Sequence, residues 1–307
     1  MNRPPQGATR VMPDLVGLES AVVATDFSRG ATAALNRAAM LPFRARARVS
    51  LIHVLPARFD RATDSLVRDV AQQRLDAAVT WLEERFADRV RTDIRVTSRL
   101  IRGDASSAIG RLAEQAEANL VVLGRHGAPV LRELLIGSVA QRVSRHARVP
   151  VLVVATPPRS PYRQIVAGFD LSPDAIRAVE LAARLATPDA QVEVVYAYRE
   201  VHAGGTDPDA ARRITVAELS EIRVEILQAL PPAPGKGAEW SVRMERGDPR
   251  QVLLEVAENR TADLIAMGSI GRTGLQRRLI GSVAEGVLQV AKVDVLITPR
   301  PLGKSKD

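Results

Sequence analysis

Glycine and serine recur in this chain at a spacing that suits phosphate chemistry. The pattern Gly-x2-Gly-x9-Gly-Ser runs through Gly124, Gly127, Gly137 and Ser138. It returns at Gly268, Gly271, Gly281 and Ser282, displaced by 144 positions. Each copy follows a short apolar run (LVVL, LIAM) and closes where a helix-like pattern begins. The first two glycines of each copy can take φ > 0 and let main chain approach a ligand closely. The closing Gly-Ser opens a helix, whose free N–H groups and positive dipole end can hold phosphate. The serine hydroxyl adds a donor, or a ligand for a metal that bridges phosphates.

Other chemistries find less support. No Lys precedes Ser138 or Ser282, and Val139 and Val283 follow them, so neither copy is a Walker A loop. The first strand–helix turn reads Ala24-Thr25-Asp26-Phe27-Ser28, without Gly-x-Gly-x-x-Gly, which disfavours hydride transfer. No carboxylate pair, Ser–His–Asp order or His-x-x-x-His spacing suggests hydrolysis or a metal cage. His126 lies between two motif glycines, but its counterpart is Ile270, which points to a backbone position rather than a catalytic base. His53, matching Tyr196, reads as a packed strand-end residue. Asp26 and Asp170 either contact a ligand at the strand ends or cap the next helix. Gly103-Asp104 and Gly247-Asp248 read as strand ends followed by N-caps, with closure of the ligand cleft as a second role. Arg272, Arg277 and Arg278 are either solvated or positioned for phosphate oxygens.

The elements that must position these residues repeat as well. In the first half, strands are expected over Ser20–Thr25, Val49–Leu55, Asp93–Leu100, Leu120–Leu123 and Val151–Val154. Helices are expected over Ser28–Met40, Asp64–Phe86, Asp104–Ala116 and Val139–His146. The apolar face of the second helix would be Leu66, Val70, Leu75, Val79 and Leu82. The second half places strands near Gln164–Phe169, Val192–Ala197, Trp240–Glu245, Leu264–Met267 and Val295–Thr298, and Ser172-Pro173 starts a helix. The fold class is α/β: two tandem five-stranded parallel doubly wound, Rossmann-like domains. The proline-rich stretch Thr156–Tyr162 separates domain 1 (residues 1–156) from domain 2 (residues 162–300). Such sheets bind ligands at the carboxyl ends of their strands.

Composition sets further bounds. The 307 residues suit two domains, and with aromatics at 3% the core must be aliphatic. Ten aromatic residues supply little stacking surface, and the 43 Lys and Arg are dispersed, so nucleic acid is a disfavoured partner despite a net charge of +8. No cysteine is present, which excludes disulfides, thiolate metal sites and thiol nucleophiles. The N-terminus lacks an apolar signal region and no apolar run is long enough to span a bilayer, so no membrane association and a cytoplasmic location are expected.

Together, the alternation, the Asp ending the first strand and the doubled glycine–serine motif resemble the tandem form of the universal stress protein family, over residues 17–300. In ATP-binding members of that family the motif holds phosphates and ribose, and the Asp lies against the nucleoside. The resemblance therefore implies a first site of Thr25, Asp26, Val54, Leu123, Gly124, His126, Gly127, Gly137, Ser138 and Val139. The second would be Phe169, Asp170, Ala197, Met267, Gly268, Ile270, Gly271, Gly281, Ser282 and Val283, with Phe169 crowding or stacking on the base. It implies ATP, with Mg²⁺ on the phosphates, as ligand, and a nucleotide-responsive regulator of stress or dormancy rather than an enzyme. Two alternatives stand beside it: a slow adenine-nucleotide hydrolase or transferase of related fold, and a nucleotide-free stress scaffold. The halves are expected to pair along their last strands, and whole chains to form a homodimer. Val293-Asp294-Val295 replaces the family-like Val149-Pro150-Val151, a change expected to alter that edge.

Overall fold

The computed structural model describes residues 17–57, 61–88, 93–127, 136–198, 201–202, 211–212, 215–231, 239–271 and 280–300. In the first half the chain runs β1 (Leu18–Ala24), α1 (Arg29–Met40), β2 (Phe43–Leu55), α2 (Arg61–Ala87) and β3 (Arg95–Arg102). It continues with α3 (Ala105–Gln115), β4 (Leu120–Gly124), α4 (Ser138–His146) and β5 (Val151–Val154). The second half repeats this order as β6 (Tyr162–Gly168), α5 (Pro173–Leu185) and β7 (Ala186–Tyr198). A small antiparallel ribbon follows, β8 (Val201–His202) with β9 (Ala211–Arg212), which the sequence pattern did not signal. Then come α6 (Val216–Ala229), β10 (Glu239–Arg246), α7 (Pro249–Asn259), β11 (Leu264–Gly268), α8 (Ser282–Val290) and β12 (Asp294–Thr298).

Each half is a five-stranded parallel sheet, and the two join as one ten-stranded sheet in the order β10-β7-β6-β11-β12-β5-β4-β1-β2-β3. Strand order reverses between β1 and β4, and again between β6 and β11, and the glycine motif leaves the sheet at those two points. The seam is the one antiparallel pairing in the large sheet: Val295 faces Val153, Leu296 faces Leu152 and Ile297 faces Val151. This is the expected association of the halves along their last strands.

Continuous apolar strands form because both faces are covered. Leu120 and Val122 enter the core under α1 and α5, whereas Val121 and Leu123 enter the core under α3, α4, α7 and α8. Both cores run across the seam without a break. The expected elements are present with extended ends: β2 begins at Phe43 and β7 directly after α5. Helix α2 buries Ala71, Leu75, Leu82 and Phe86, but Leu66 and Val70 are exposed and are not part of its packed face.

The seam carries a buried ion pair. Arg37 on α1 donates from Nε to the Asp294 carboxylate at 2.9 Å and from Nη1 to the Ser160 carbonyl at 2.8 Å. Tyr162 donates its hydroxyl to Asp294 at 2.6 Å, and the Arg37 guanidinium lies 4.0 Å from the Tyr162 ring centre. Burial pushes the Asp294 carboxyl up, while Arg37, the Tyr162 hydroxyl and the Ala155 N–H draw it down. The position matching Asp294 across the pseudo-twofold is Pro150, and that matching Arg37 is Leu181. Those two line an open polar recess instead. The departure at Asp294 therefore does reshape the edge. Removing one member of a buried pair costs about 3–5 kcal/mol, because the other charge stays buried. Arg37→Leu is expected to lose stability in that range in denaturant melts, and Arg37→Leu with Asp294→Asn to lose clearly less.

Candidate functional site

Each glycine motif closes around a cavity at the carboxyl edge of its sheet. The first cavity, about 200 Å³, is lined by all ten residues expected for the first site. The second, about 390 Å³, is lined by all ten expected for the second. Three wall positions carry smaller residues in the second: Gly168, Val195 and Ala197 stand where the first has Ala24, Ile52 and Val54. Sequence reasoning missed further wall residues, among them Ala31, Ile109 and Arg125 in the first cavity and Pro249, Leu253 and Ser269 in the second. The helix pattern alone could have offered Ile109 and Leu253, which lie one turn into α3 and α7. Phe169 borders the second cavity but is 4% exposed and packed in the core, so most of its ring is unavailable for stacking.

The first strand–helix turn has the same construction in both halves. Asp26 Oδ1 accepts the Ser28 N–H at 3.0 Å, and Asp170 Oδ1 accepts the Ser172 N–H at 3.0 Å. Ser28 and Ser172 then cap α1 and α5, so neither aspartate is the N-cap. The residue between, Phe27 or Leu171, is held left-handed at φ 63° and 64°. For a bulky side chain that costs roughly 1–2 kcal/mol, so the Asp turn and the cap must hold it in place. In the first half the Phe27 ring lies 4.5 Å from His53, whose Nδ1 meets the Thr25 carbonyl at 2.8 Å, a packed strand-end histidine as expected.

The motif glycines are needed for close approach, not for left-handed backbone. None of Gly124, Gly127, Gly268 and Gly271 has positive φ, contrary to the expectation from glycine's freedom. A Cβ on Gly124 would lie 2.3 Å from the Gly30 backbone at the start of α1. On Gly127 it would lie 2.4 Å from Asp26 Oδ2, and on Gly271 2.9 Å from Asp170 Oδ2. Left-handed glycines occur instead at Gly103 and Gly247, just before the N-caps Asp104 and Asp248. Those two aspartates cap their helices as expected and do not line either site cavity. His126 acts through its backbone in this arrangement: its carbonyl accepts the Ser28 hydroxyl at 3.4 Å and lies against Gly30. Arg272, Arg277 and Arg278 lie outside the described residues.

Helices α4 and α8 start differently from the other helices whose N-caps are described. Helices α1, α3, α5, α6 and α7 have side-chain caps from Ser28, Asp104, Ser172, Thr215 and Asp248. Helices α4 and α8 start at Gly137 and Gly281 with no side-chain cap. Their first residues, Ser138 to Ala140 and Ser282 to Ala284, line the cavities, and both serines are exposed. Each N-cap is tied to the preceding loop: the Gly137 N–H donates to the Arg125 carbonyl at 2.7 Å, and the Gly281 N–H to the Ser269 carbonyl at 2.6 Å. Among the described residues no group of three His, Asp or Glu could hold a metal ion.

A universal stress protein family model matches the chain twice, over residues 18–155 and 161–299. The chain belongs to the universal stress protein family. A universal stress protein of Mycobacterium tuberculosis is 34% identical over 143 residues, 97% of its own length but 45% of this chain. One from Methanocaldococcus jannaschii is 34% identical over 145 residues, 84% of its length and 46% of this chain. A relative that fills one half is what a duplicated unit requires. Among solved structures, a universal stress protein from Archaeoglobus fulgidus aligns over 92% of this chain and 98% of its own, at a TM-score of 0.65 and 19% identity, a likeness of fold. No helix among the described residues is long and apolar enough to cross a membrane.

Behind the second motif lies a fully buried carboxylate. Asp174, on the first turn of α5, stands where the first half has Gly30. Among the described residues its nearest cation is Arg300, at 3.7 Å. Burial pushes its carboxyl up, against the pull of Arg300 and of the Ile270 N–H. A carboxyl raised in the folded state contributes stability below its unfolded value, near 3.9, and loses it as pH rises through the folded value. Asp174→Asn should therefore melt higher than the unmodified protein at pH 7, by about 2–4 °C per kcal/mol relieved. The difference should vanish below about pH 4. By contrast Gly124→Ala should lower stability at every pH, by about 1–3 kcal/mol, because its methyl overlaps the α1 backbone. Thermal melts across pH check both.

Proposed function

We propose that this universal stress protein binds ATP, through residues 1–156 in one site and 162–300 in the other, and acts as a nucleotide-responsive regulator. The observation that carries this reading is the pair of helix starts at Gly137 and Gly281. These two helices have no side-chain cap, and their first turns border a cavity. Free N–H groups at a helix N-terminus attract anions. The exposed Ser138 and Ser282 add hydroxyl donors. The apolar walls, Ile52, Val54 and Leu123 in the first cavity and Val195, Ala197 and Met267 in the second, suit a planar base. Asp26 and Asp170 lie between wall and motif, where a ribose would meet them. The closing pairs stay near in space: a Cβ on Gly137 would lie 3.5 Å from the Gly127 N, and one on Gly281 4.0 Å from the Gly271 N.

Mg²⁺ fits as a passenger of the phosphates, since no carboxylate cluster is described that could hold it alone. When bound, it would screen phosphate charge, and the exposed Ser138 or Ser282 would be a hydroxyl able to hold it. The chain's own residues bind and orient the nucleotide. The uncapped helix starts and the apolar walls supply contacts for a bound nucleotide, and on them the reading is binding rather than turnover.

Calorimetric titration with ATP tests this directly. A stoichiometry near two is expected, falling to one in Gly137→Asp and to one in Gly281→Asp, each of which sets a carboxylate where phosphate would lie. Absence of binding by the unmodified protein would overturn the reading and favour a nucleotide-free scaffold. Many turnovers, abolished by Asp26→Ala with binding kept, would favour a hydrolase.

A further inference from the structure

One residue touches the machinery of both cavities. Arg125 sits between Gly124 and His126, and it lines the first cavity. Its N–H donates to the Val154 carbonyl at the end of β5, at 2.8 Å. Its carbonyl holds the Gly137 N–H, at the head of α4. Its side chain leaves the first half altogether. Nη1 donates to the Ala291 carbonyl and Nη2 to the Gln289 carbonyl, at the C-terminal end of α8. The other end of α8 is Gly281-Ser282, at the second cavity. Helix α8 has 9 residues and is about 14 Å long.

The guanidinium suits this place. Helix C-termini carry unpaired carbonyls and a partial negative charge, which a cation with a planar fork of donors can satisfy. Arg125 is 6% exposed, so it has little freedom to swing elsewhere. The second half has no equivalent arm. Ser269 stands at the matching position, too short to reach the end of α4, and it borders an open cavity between α3, α4 and the second half. The arginine arm therefore exists in one direction of the pseudo-twofold only.

We propose that Arg125 couples the two ATP sites: a nucleotide on the Gly137 helix start changes the affinity of the Gly281 helix start, through the Arg125 side chain on the far end of α8. The inference rests on the ATP reading above. Ligand on the first site fixes the turn that contains Arg125. The turn fixes the arm, and the arm sets the seating of α8. A free energy passed between sites acts in both directions, so filling the second site must change the first by the same factor. Helices α4 and α8 also touch directly, through Gln141 to Glu285 at 3.1 Å and an Arg145–Glu285 ion pair. That contact is a competing route, and it is separable.

The test is a double-mutant cycle on the full chain, read by ATP calorimetry. The dissociation constant of the second site is measured in the unmodified protein and in Gly137→Asp, whose first site is blocked. Their ratio is expected to be at least about fivefold, the lower range of known coupling. In Arg125→Ser, the residue the second half itself carries, the ratio should fall to about one. Arg125→Lys should retain part of it, and Glu285→Ala, which removes the acceptor of the competing contact, should leave it whole. The reverse arm, first-site affinity with and without Gly281→Asp, must return the same factor, and it stands in if Gly137→Asp does not fold. A merely structural role for Arg125 would lower the melting temperature and leave the ratio unchanged, which would overturn the proposal. So would a ratio near one in the unmodified protein, with ATP binding intact. No ATP binding in any of these proteins would instead remove the reading on which the inference stands.

Discussion

Everything else in this molecule depends on the antiparallel meeting of β5 and β12. A parallel five-stranded sheet ends in a strand with one free edge, and an apolar edge such as Val151–Val154 cannot be left bare. Here each half covers the other's edge. The sheet becomes continuous, and the two cores on its faces become continuous with it. The seam also fixes where the cavities lie. The motif emerges beside the last strand of each half, so the pairing that hides β5 and β12 brings both motifs close to the shared boundary.

The seam is made by unlike surfaces. Arg37 meets Asp294 and Tyr162 on one side, while Leu181 and Pro150 border an open recess on the other. Two copies of the first half paired in the same way would bury Arg37 against Pro150 twice. Two copies of the second would bury Asp294 against Leu181 twice, and would set Glu285 against itself where Gln141 now receives it. Each arrangement strands buried charge. The chain thus specifies pairing of first half with second over pairing of like with like. That specificity would make little sense if the halves were interchangeable binding units.

Much of this was legible in the residues. The 144-position repeat located the duplicated unit, and the alternation of LVVL-type runs with capped helical patterns gave the parallel sheet. Apolar runs buried on both faces leave a strong mark, and Ser28, Asp104 and Ser172 mark helix starts through chemistry that acts within three residues. The residues that line the two cavities were legible for the same reason, since the motif lies in two short stretches joined by the sheet. What the sequence hid was contact at long range. Nothing local says that Gly124 is glycine because Gly30, 94 positions earlier, lies against it, or that Arg125 reaches 166 positions ahead. Positive φ was inferred from glycine's freedom, whereas the constraint was a neighbour's backbone.

The positions where the copies disagree make a further point. Gly137-Ser138 and Gly281-Ser282, with Asp26 and Asp170, are the same in both halves. Besides the cavity walls, differences lie behind them: Arg125 against Ser269, Gly30 against Asp174, Pro150 against Asp294. None of the three pairs belongs to a helix start that would meet phosphate. Each lies where a motif loop rests on its own sheet or on the other half. Arg125 binds a helix end that Ser269 cannot reach, and Asp174 puts a buried carboxylate under a loop that in the first half rests on bare backbone. A duplicated unit that keeps its helix starts and changes their supports sets the same uncapped helix N-termini in two mechanical settings. On the ATP reading, two sites on unlike supports would respond over different ranges of ligand, and coupling through Arg125 would let the response of the pair differ from the sum of its parts.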